Sequence, residues 1–207
     1  MKISAIITAG GTSNRFGSNK LLENLDGIPL IIHTIKKFKG LVDEIVVPAT
    51  PDVREKIEKY YDDIIFAKNG SCRQESVLNA LKKCDNPDYV LIHDGARPFI
   101  SKEIILNTID EVQKKGAVVV GIGAIDTVKI CDSDKKVIET PKREQVYYIQ
   151  TPQAFKFKNI LNAHLEFERE LSQFSDDSCL MEKMGEDVFI IEGSLLNRKI
   201  TFKEDLL

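Results

Sequence analysis

Chemistry in this chain would begin at Ala9-Gly10-Gly11-Thr12-Ser13, small residues that follow an apolar run (Ile3, Ala5, Ile6, Ile7) and precede Arg15, Gly17 and Lys20. Glycine admits positive φ and lets backbone N–H groups approach an anion closely. Arg15 and Lys20 would neutralise the charge those amides cradle, and a nucleoside triphosphate is the polyanion such a loop suits. Two familiar phosphate loops do not fit. The dinucleotide fingerprint needs G-x-G-x-x-G, whereas here the glycines are adjacent and Ser13 and Asn14 stand where others would be needed. The Walker loop needs G-K-[S/T], but Lys20 is preceded by Asn19 and followed by Leu21. Taken alone, the stretch also reads as an ordinary strand-to-helix turn with surface charges.

Further polar groups sit where other apolar runs end. Asn69-Gly70-Ser71-Cys72-Arg73-Gln74-Glu75-Ser76 reads as a small-residue turn opening a helix, whose free N–H groups suit a base or an anion. His93-Asp94-Gly95-Ala96-Arg97-Pro98 puts a carboxylate at a strand end, a natural place to hold a divalent cation or a sugar hydroxyl. Asp126-Thr127-Val128-Lys129, Arg143, Gln150-Thr151-Pro152-Gln153 and Asn197-Arg198-Lys199-Ile200-Thr201 follow. Each piece has a plain reading as well: Asp94 as a turn cap, Thr127 as a strand residue, Lys199 as a solvated charge. Several cations gathered at strand ends of an acidic chain instead suit a phosphorylated substrate beside a triphosphate.

The elements that must position these groups alternate between two periods. Strand-like runs are expected at Ile3–Thr8, Glu44–Pro48, Asp63–Ala67, Tyr89–His93, Ala117–Gly121 and Val188–Ile191, and helices at Leu30–Phe38, Asp52–Tyr61, Arg73–Lys83 and Lys102–Lys114. Leu30, Ile31, Thr34, Ile35 and Phe38 share one helical face, and Pro29 suits a first turn. The alternation predicts a three-layer α/β fold around a mostly parallel sheet, with ligands beyond the carboxyl ends of its strands. Residues 125–148 break the rhythm as strand, polar turn (Asp132–Lys136), strand. An isolated hairpin is marginal in water, so it either packs on a second subunit or folds back on its own sheet.

Composition narrows the class. A length of 207 residues suits one domain with a real core. The net charge of −3 offers no basic excess to displace counterions, which speaks against nucleic acid as a partner. No run reaches membrane-spanning length, and the start lacks a secretory pattern. Cys72, Cys84, Cys131 and Cys179 are scattered without C-x-x-C, and His33, His93 and His164 do not pair at ligand spacing. Reduced thiols in a cytoplasmic protein without a protein-held metal are the expectation.

With these residues in view, the chain resembles the 2-C-methyl-D-erythritol 4-phosphate cytidylyltransferases of the non-mevalonate isoprenoid pathway. The similarity runs in order through TAGGTSNRFGSNK, DGIPLIIHTI, GSCRQESVLNAL, VLIHDGARPF, DTVK, Arg143 with IQTPQAF, SDDSCLMEKMG and EGSLLNRKIT. The ribitol-5-phosphate cytidylyltransferases share much of the pattern and are the first alternative; a non-catalytic nucleotide-binding protein of the same fold is the second, against which the presence of Arg15, Lys20, Asp94 and Lys199 speaks. HDGARP and EGSLLNRKIT look closer to the erythritol enzymes.

The resemblance implies a Rossmann-like nucleotidyltransferase sheet with a protruding hairpin arm at about 125–148, and transfer from CTP to a methylerythritol phosphate. It implies Mg²⁺ held mainly by the CTP phosphates, and a homodimer joined through the arm. Arg15, Lys20 and Lys199 would be catalytic. Ala9, Gly10, Gly11, Gly70, Ser71, Arg73, Ser76, Asp94 and Ala96 would line the nucleotide. Asp94, Arg97, Thr127, Arg143, Thr151 and Lys199 would meet the acceptor, with Thr127 and Arg143 reaching in from the partner. Departures from the family pattern are Asn19 in place of proline, a short Arg15-to-Lys20 interval, Ser71 in place of an acidic residue, Arg198 in place of an apolar one, and Ser175 in place of threonine.

Overall fold

The structure, a computed structural model, describes residues 1–10 and 19–206. The expectations for Gly11, Arg15 and Gly17 lie outside the described residues. Strand β1 (Ile3–Thr8) enters the middle of the sheet, then a single 3-10 turn (Lys20–Leu22) leads to a small hairpin. Its arms, β2 (Asn24–Leu25) and β3 (Ile28–Pro29), are joined by Asp26-Gly27, both at positive φ. That pair of conformations matches strand twist, and Asp-Gly is the sequence that adopts it cheaply.

The chain continues as α1 (Leu30–Phe38), β4 (Glu44–Ala49), α2 (Pro51–Glu58), β5 (Ile65–Lys68), α3 (Arg73–Leu81), β6 (Tyr89–Asp94), α4 (Lys102–Lys115) and β7 (Ala117–Gly123). Then come β8 (Ile130–Cys131), β9 (Val137–Glu139), β10 (Tyr147–Lys156), α5 (Phe157–Glu166), α6 (Ser178–Lys183) and β11 (Phe189–Glu192). The seven-stranded sheet has the order β11-β7-β10-β6-β1-β4-β5. Its pairs are parallel except those made by β10, which runs antiparallel to both β6 and β7.

The period-2 alternation of β1 explains the layers. Ile3, Ala5 and Ile7 pack into one buried cluster with α1, α2 and α4, while Ile6 packs into the other with α3, α5 and α6. Both faces are covered, so the strand reads as a nearly continuous apolar run. Full burial of a residue such as Ile6 or Ile7 contributes about 1.5–3 kcal/mol relative to exposure. Helix α4 shows how local sequence sets an element. Ser101 Oγ accepts from the Ile104 N–H at 3.2 Å to start it, and Gly116 at φ +84 ends it.

Sequence reasoning and structure part company in four places. Pro29 closes β3 and caps α1 rather than forming its first turn. Helices α5 and α6 are additional to those expected. Most consequentially, β10 extends through Gln150-Thr151-Pro152-Gln153, a stretch whose polarity and proline read as a turn. The strand accommodates it with a register irregularity between Ile149 and Gln153. The segment expected as strand, turn and strand is instead two very short strands, β8 and β9, followed by a 3-10 turn at Arg143–Gln145 and the start of β10. Within that short hairpin, Asp132 Oδ1 accepts from the N–H groups of Asp134 and Lys136 at 3.0 and 2.9 Å. Every residue from Ile130 to Glu139 is exposed.

Candidate active site

The carboxyl edge of the parallel strands gathers groups from most of the chain. Because β10 runs the other way, its early residues arrive at the same edge where β6 and β7 end. Gln153 lies opposite Ile92, which brings Thr151 to the end of β6. The Asp94 N–H donates to Thr151 Oγ1 at 3.0 Å, and Thr151 Oγ1 lies 3.0 Å from His93 Nδ1. The other His93 nitrogen, Nε2, is 3.2 Å from the Arg97 carbonyl oxygen. A carbonyl only accepts, so Nε2 carries the proton and Nδ1 accepts from the Thr151 hydroxyl. Burial pushes the imidazole down to about 4. His93 is therefore neutral, and it tilts against Phe38 with 4.9 Å between ring centres.

Asp94 is the hub. Its Oδ2 lies 2.9 Å from Lys199 Nζ and 3.4 Å from Arg97 Nε, and its Oδ1 lies 3.4 Å from Arg73 Nε. Burial alone would raise the carboxyl group; Lys199, Arg73 and Arg97 outweigh it and hold the group well below the usual carboxylate range. Arg97 donates from Nη1 to the Asn197 carbonyl at 2.7 Å, which ties the end of β6 to the segment carrying Lys199. Asn197 is itself buried, with Nδ2 donating to Gln150 Oε1 at 3.1 Å and to the Thr151 carbonyl at 2.9 Å.

Lys20 joins the same wall from the start of the chain. Its Nζ donates to the Ile200 carbonyl at 2.7 Å, and the Ile200 N–H donates to the Ala96 carbonyl at 2.8 Å. The loops after β1 and β6 and the C-terminal segment thus converge on one edge, with Lys20 and Lys199 held on neighbouring residues of that segment. Arg198, the departure beside Lys199, lies over the Phe99 ring at 5.0 Å.

The loops after β1 and β5 face each other. Asn69 Nδ2 donates to the Gly10 carbonyl at 3.3 Å, and a Cβ on Gly10 would fall 1.9 Å from Asn69 Oδ1. A Cβ on Gly70 would fall 2.7 Å from the Ser76 amide nitrogen, so this approach needs glycine. The Gly70 N–H donates to Ser76 Oγ at 2.9 Å. Ser71 is exposed, with its N–H and hydroxyl both donating to Glu75 Oε2 at 2.5 and 2.6 Å. Cys72 Sγ accepts from the Glu75 N–H at 3.4 Å, so the pair caps α3 in both directions. Ala9 remains buried and extends the pairing of β1 with β4 through Ala49.

Lys20, Arg73, Asp94, Ala96, Arg97, Thr151 and Lys199 are therefore brought together, and Gly10, Gly70, Ser71 and Ser76 form the adjoining wall. Thr127 and Arg143 are not: both are exposed, and neither makes a hydrogen bond or ion pair to Asp94, Arg73 or Lys199. Arg143 instead lines an open cavity of about 530 Å³ with Gly123, Ala124, Glu144 and Tyr147. The sequence reading missed Asp177. This fully buried carboxylate lies 2.6 Å from Arg73 Nη1 through Oδ2, and burial's upward pressure on it is overcome chiefly by Arg73. Its only signal was the acidic pair Asp176-Asp177 opening a short helix.

The sequence and the fold have counterparts. The sequence model of the 2-C-methyl-D-erythritol 4-phosphate cytidylyltransferases matches residues 3–207. The enzyme of that name from Clostridium beijerinckii is 39% identical over 217 residues, covering 99% of this chain and 95% of its own. That from Dictyoglomus thermophilum is 39% identical over 220 residues, covering 100% and 94%. Among solved structures, the 4-diphosphocytidyl-2C-methyl-D-erythritol synthase of Anaerococcus prevotii superposes with a TM-score of 0.88 at 36% identity, covering 99% and 94% of the two chains. The Francisella tularensis 2-C-methyl-D-erythritol 4-phosphate cytidylyltransferase gives 0.86 at 27%, covering 100% and 97%. Fold and end-to-end sequence match agree, and this chain belongs to the 2-C-methyl-D-erythritol 4-phosphate cytidylyltransferase family.

Proposed function

We propose that the chain catalyses transfer of the cytidylyl group of CTP to the phosphate of 2-C-methyl-D-erythritol 4-phosphate, releasing pyrophosphate, in isoprenoid precursor synthesis by the non-mevalonate pathway. The observation that carries the reading is the convergence of Lys20, Asp94 and Lys199, distant in sequence, on one edge of the sheet. The family match and the named relatives favour the methylerythritol acceptor over ribitol 5-phosphate.

An acceptor phosphate oxygen attacks the α-phosphorus in line, the bond to the β-phosphate oxygen breaks, and the electron pair leaves with pyrophosphate. Such a transfer rests on positioning and charge neutralisation rather than on a covalent intermediate. Lys20 and Lys199, with Arg15, stabilise the charge that builds on the transferring phosphoryl group. Asp94 holds Lys199 until phosphate oxygens compete for it, and offers a carboxylate to sugar hydroxyls. Ala9, Gly10, Gly11, Gly70, Ser71 and Ser76 form the wall for cytosine and ribose, mostly through the backbone.

Mg²⁺ would supply charge neutralisation across the triphosphate when bound. Asp94 is already shared among three cations, and among the described residues no group of three or more His, Cys, Asp or Glu is disposed to hold a metal. The ion would be held mainly by nucleotide oxygens.

The acceptor site is completed by a second copy. The hairpin exposes Ile130 at 46%, Val137 at 51% and Ile138 at 66%, apolar surface that a second subunit would cover. Thr127 and Arg143, exposed and not bonded to Asp94 in their own chain, reach the partner's acceptor phosphate. Among the described residues no helix is long and apolar enough to cross a membrane. The test is product analysis with CTP, UTP, ATP and GTP in the presence of the acceptor. CDP-methylerythritol formed from CTP supports the reading, and no nucleotide product from any of the four would refute it.

A further inference from the structure

We propose that Asp177 is a positioning residue for the transfer site, acting through Arg73 on Asp94. The inference rests on the cytidylyl-transfer reading above and assigns a role to a buried carboxylate which that reading does not use.

Arg73 lies between two carboxylates. Its Nη1 is 2.6 Å from Asp177 Oδ2 and its Nε is 3.4 Å from Asp94 Oδ1. Asp94 belongs to the site and Asp177 to the layer behind it. A guanidinium is planar and presents donors in a fixed fork, so engaging both ends sets its orientation. Burial lowers the guanidinium's affinity for its proton, and the two carboxylates more than restore it, keeping Arg73 charged.

Asp177 is itself held. Its N–H donates to Gln153 Oε1 at 3.1 Å, as does that of Ser178 at 3.2 Å, while Gln153 Nε2 donates to Asp176 Oδ2 at 2.7 Å. Gln153 lies on β10, opposite the strand that ends in Asp94. The remaining oxygen, Oδ1, faces His164 Nε2 at 3.3 Å, and both atoms lack a well-formed hydrogen bond. The Asp177 carboxylate is thus committed chiefly to Arg73.

The consequence lies in how charge is shared at Asp94. While Asp177 takes one end of Arg73, the Asp94 carboxylate is left to Lys199 and Arg97 at Oδ2. Without the Asp177 charge, the whole of Arg73 turns on Asp94 and competes with Lys199 for it. The lysine then loses the position from which it meets the phosphate.

The test compares Asp177→Asn, Arg73→Lys and their combination, each assayed on enzyme shown to be folded by circular dichroism and gel filtration. Asp177→Asn keeps the shape and removes the charge; Arg73→Lys keeps the charge but cannot span both carboxylates. Each single change is expected to lower kcat/KM by roughly 10–100-fold, the scale of a misplaced active-site group. The double variant is expected to lose no more than the worse single, the signature of residues acting as one unit. A merely structural Asp177 would lower the melting temperature but leave kcat/KM of the folded enzyme intact. If Asp177→Asn does not fold, Arg73→Lys decides alone, and wild-type kcat/KM in that variant overturns the proposal. Additive losses in the double variant overturn it too. An inactive wild-type enzyme would instead overturn the reading on which it rests.

Discussion

The hydroxyl of Thr151 joins the backbone of Asp94 to the imidazole of His93, accepting from one and donating to the other at 3.0 Å each. The arrangement works only with His93 neutral, because a proton on Nδ1 would face a hydroxyl already turned toward it. Burial pushes the ring down from an ordinary 6.5 to about 4. The folded chain therefore binds fewer protons than the unfolded chain between those values, and stability falls as pH drops through that window.

The upper part of that window is separable from the carboxylates, whose lowered values cost stability mainly below about pH 5. Urea unfolding at pH 7 and about pH 5.5 is expected to show a loss of about 1 kcal/mol from this group. His93→Gln is expected to flatten the slope over that interval. An unchanged slope in a folded His93→Gln variant would show that the imidazole is not the titrating group.

Lys20 is held by the carbonyl of Ile200, the residue after Lys199. Lys20→Ala is expected to lower kcat by roughly 10²–10³, the scale of losing one charge contact made in the transition state. Steady-state kinetics with both substrates saturating measures it. Turnover within a few-fold of wild type would remove Lys20 from the mechanism.

Arg143 is exposed and not bonded to Asp94 in its own chain, and is assigned to the partner's acceptor phosphate. Arg143→Ala is expected to raise KM for the sugar phosphate by roughly 10–100-fold, as for loss of a charge-assisted hydrogen bond, with CTP affinity nearly unchanged. Isothermal titration with CTP alone provides the second half. Collapse of CTP binding would place Arg143 in the nucleotide subsite instead.

If sites are shared between copies, the two impaired variants should rescue each other when the acceptor is well below its KM. Mixing Lys20→Ala with Arg143→Ala under conditions of subunit exchange leaves one intact site in each mixed dimer, and about one quarter of wild-type activity is expected. Activity no higher than the sum of the separate variants would argue that each chain completes its own site. Shortening the hairpin by deleting Asp132–Lys136 is expected to lower dimerisation and activity together in sedimentation and turnover assays.

Much of the sheet was legible because both faces of β1, β4, β6 and β7 are buried, which leaves continuous apolar runs in the sequence. The glycine loop and the strand-end positions of Asp94 and Lys199 were legible for the same reason, since each follows such a run or a recognisable motif. Strand β10 was hidden because Gln150, Thr151 and Gln153 are polar yet buried. Their partners (Ser194, His93, Asp176) lie elsewhere in the chain and satisfy them only once the fold exists. The Arg73–Asp177 pair spans 104 positions and leaves no local spacing to detect. Helix α6 left little to detect for a different reason: its six residues are fewer than two turns, too short to display a helical period.

The most direct test of the account is the choice of acceptor. Pyrophosphate release would be followed with CTP and Mg²⁺ while 2-C-methyl-D-erythritol 4-phosphate and ribitol 5-phosphate are offered separately. The account predicts turnover with the methylerythritol phosphate and little with ribitol phosphate. Turnover with ribitol 5-phosphate alone would contradict it.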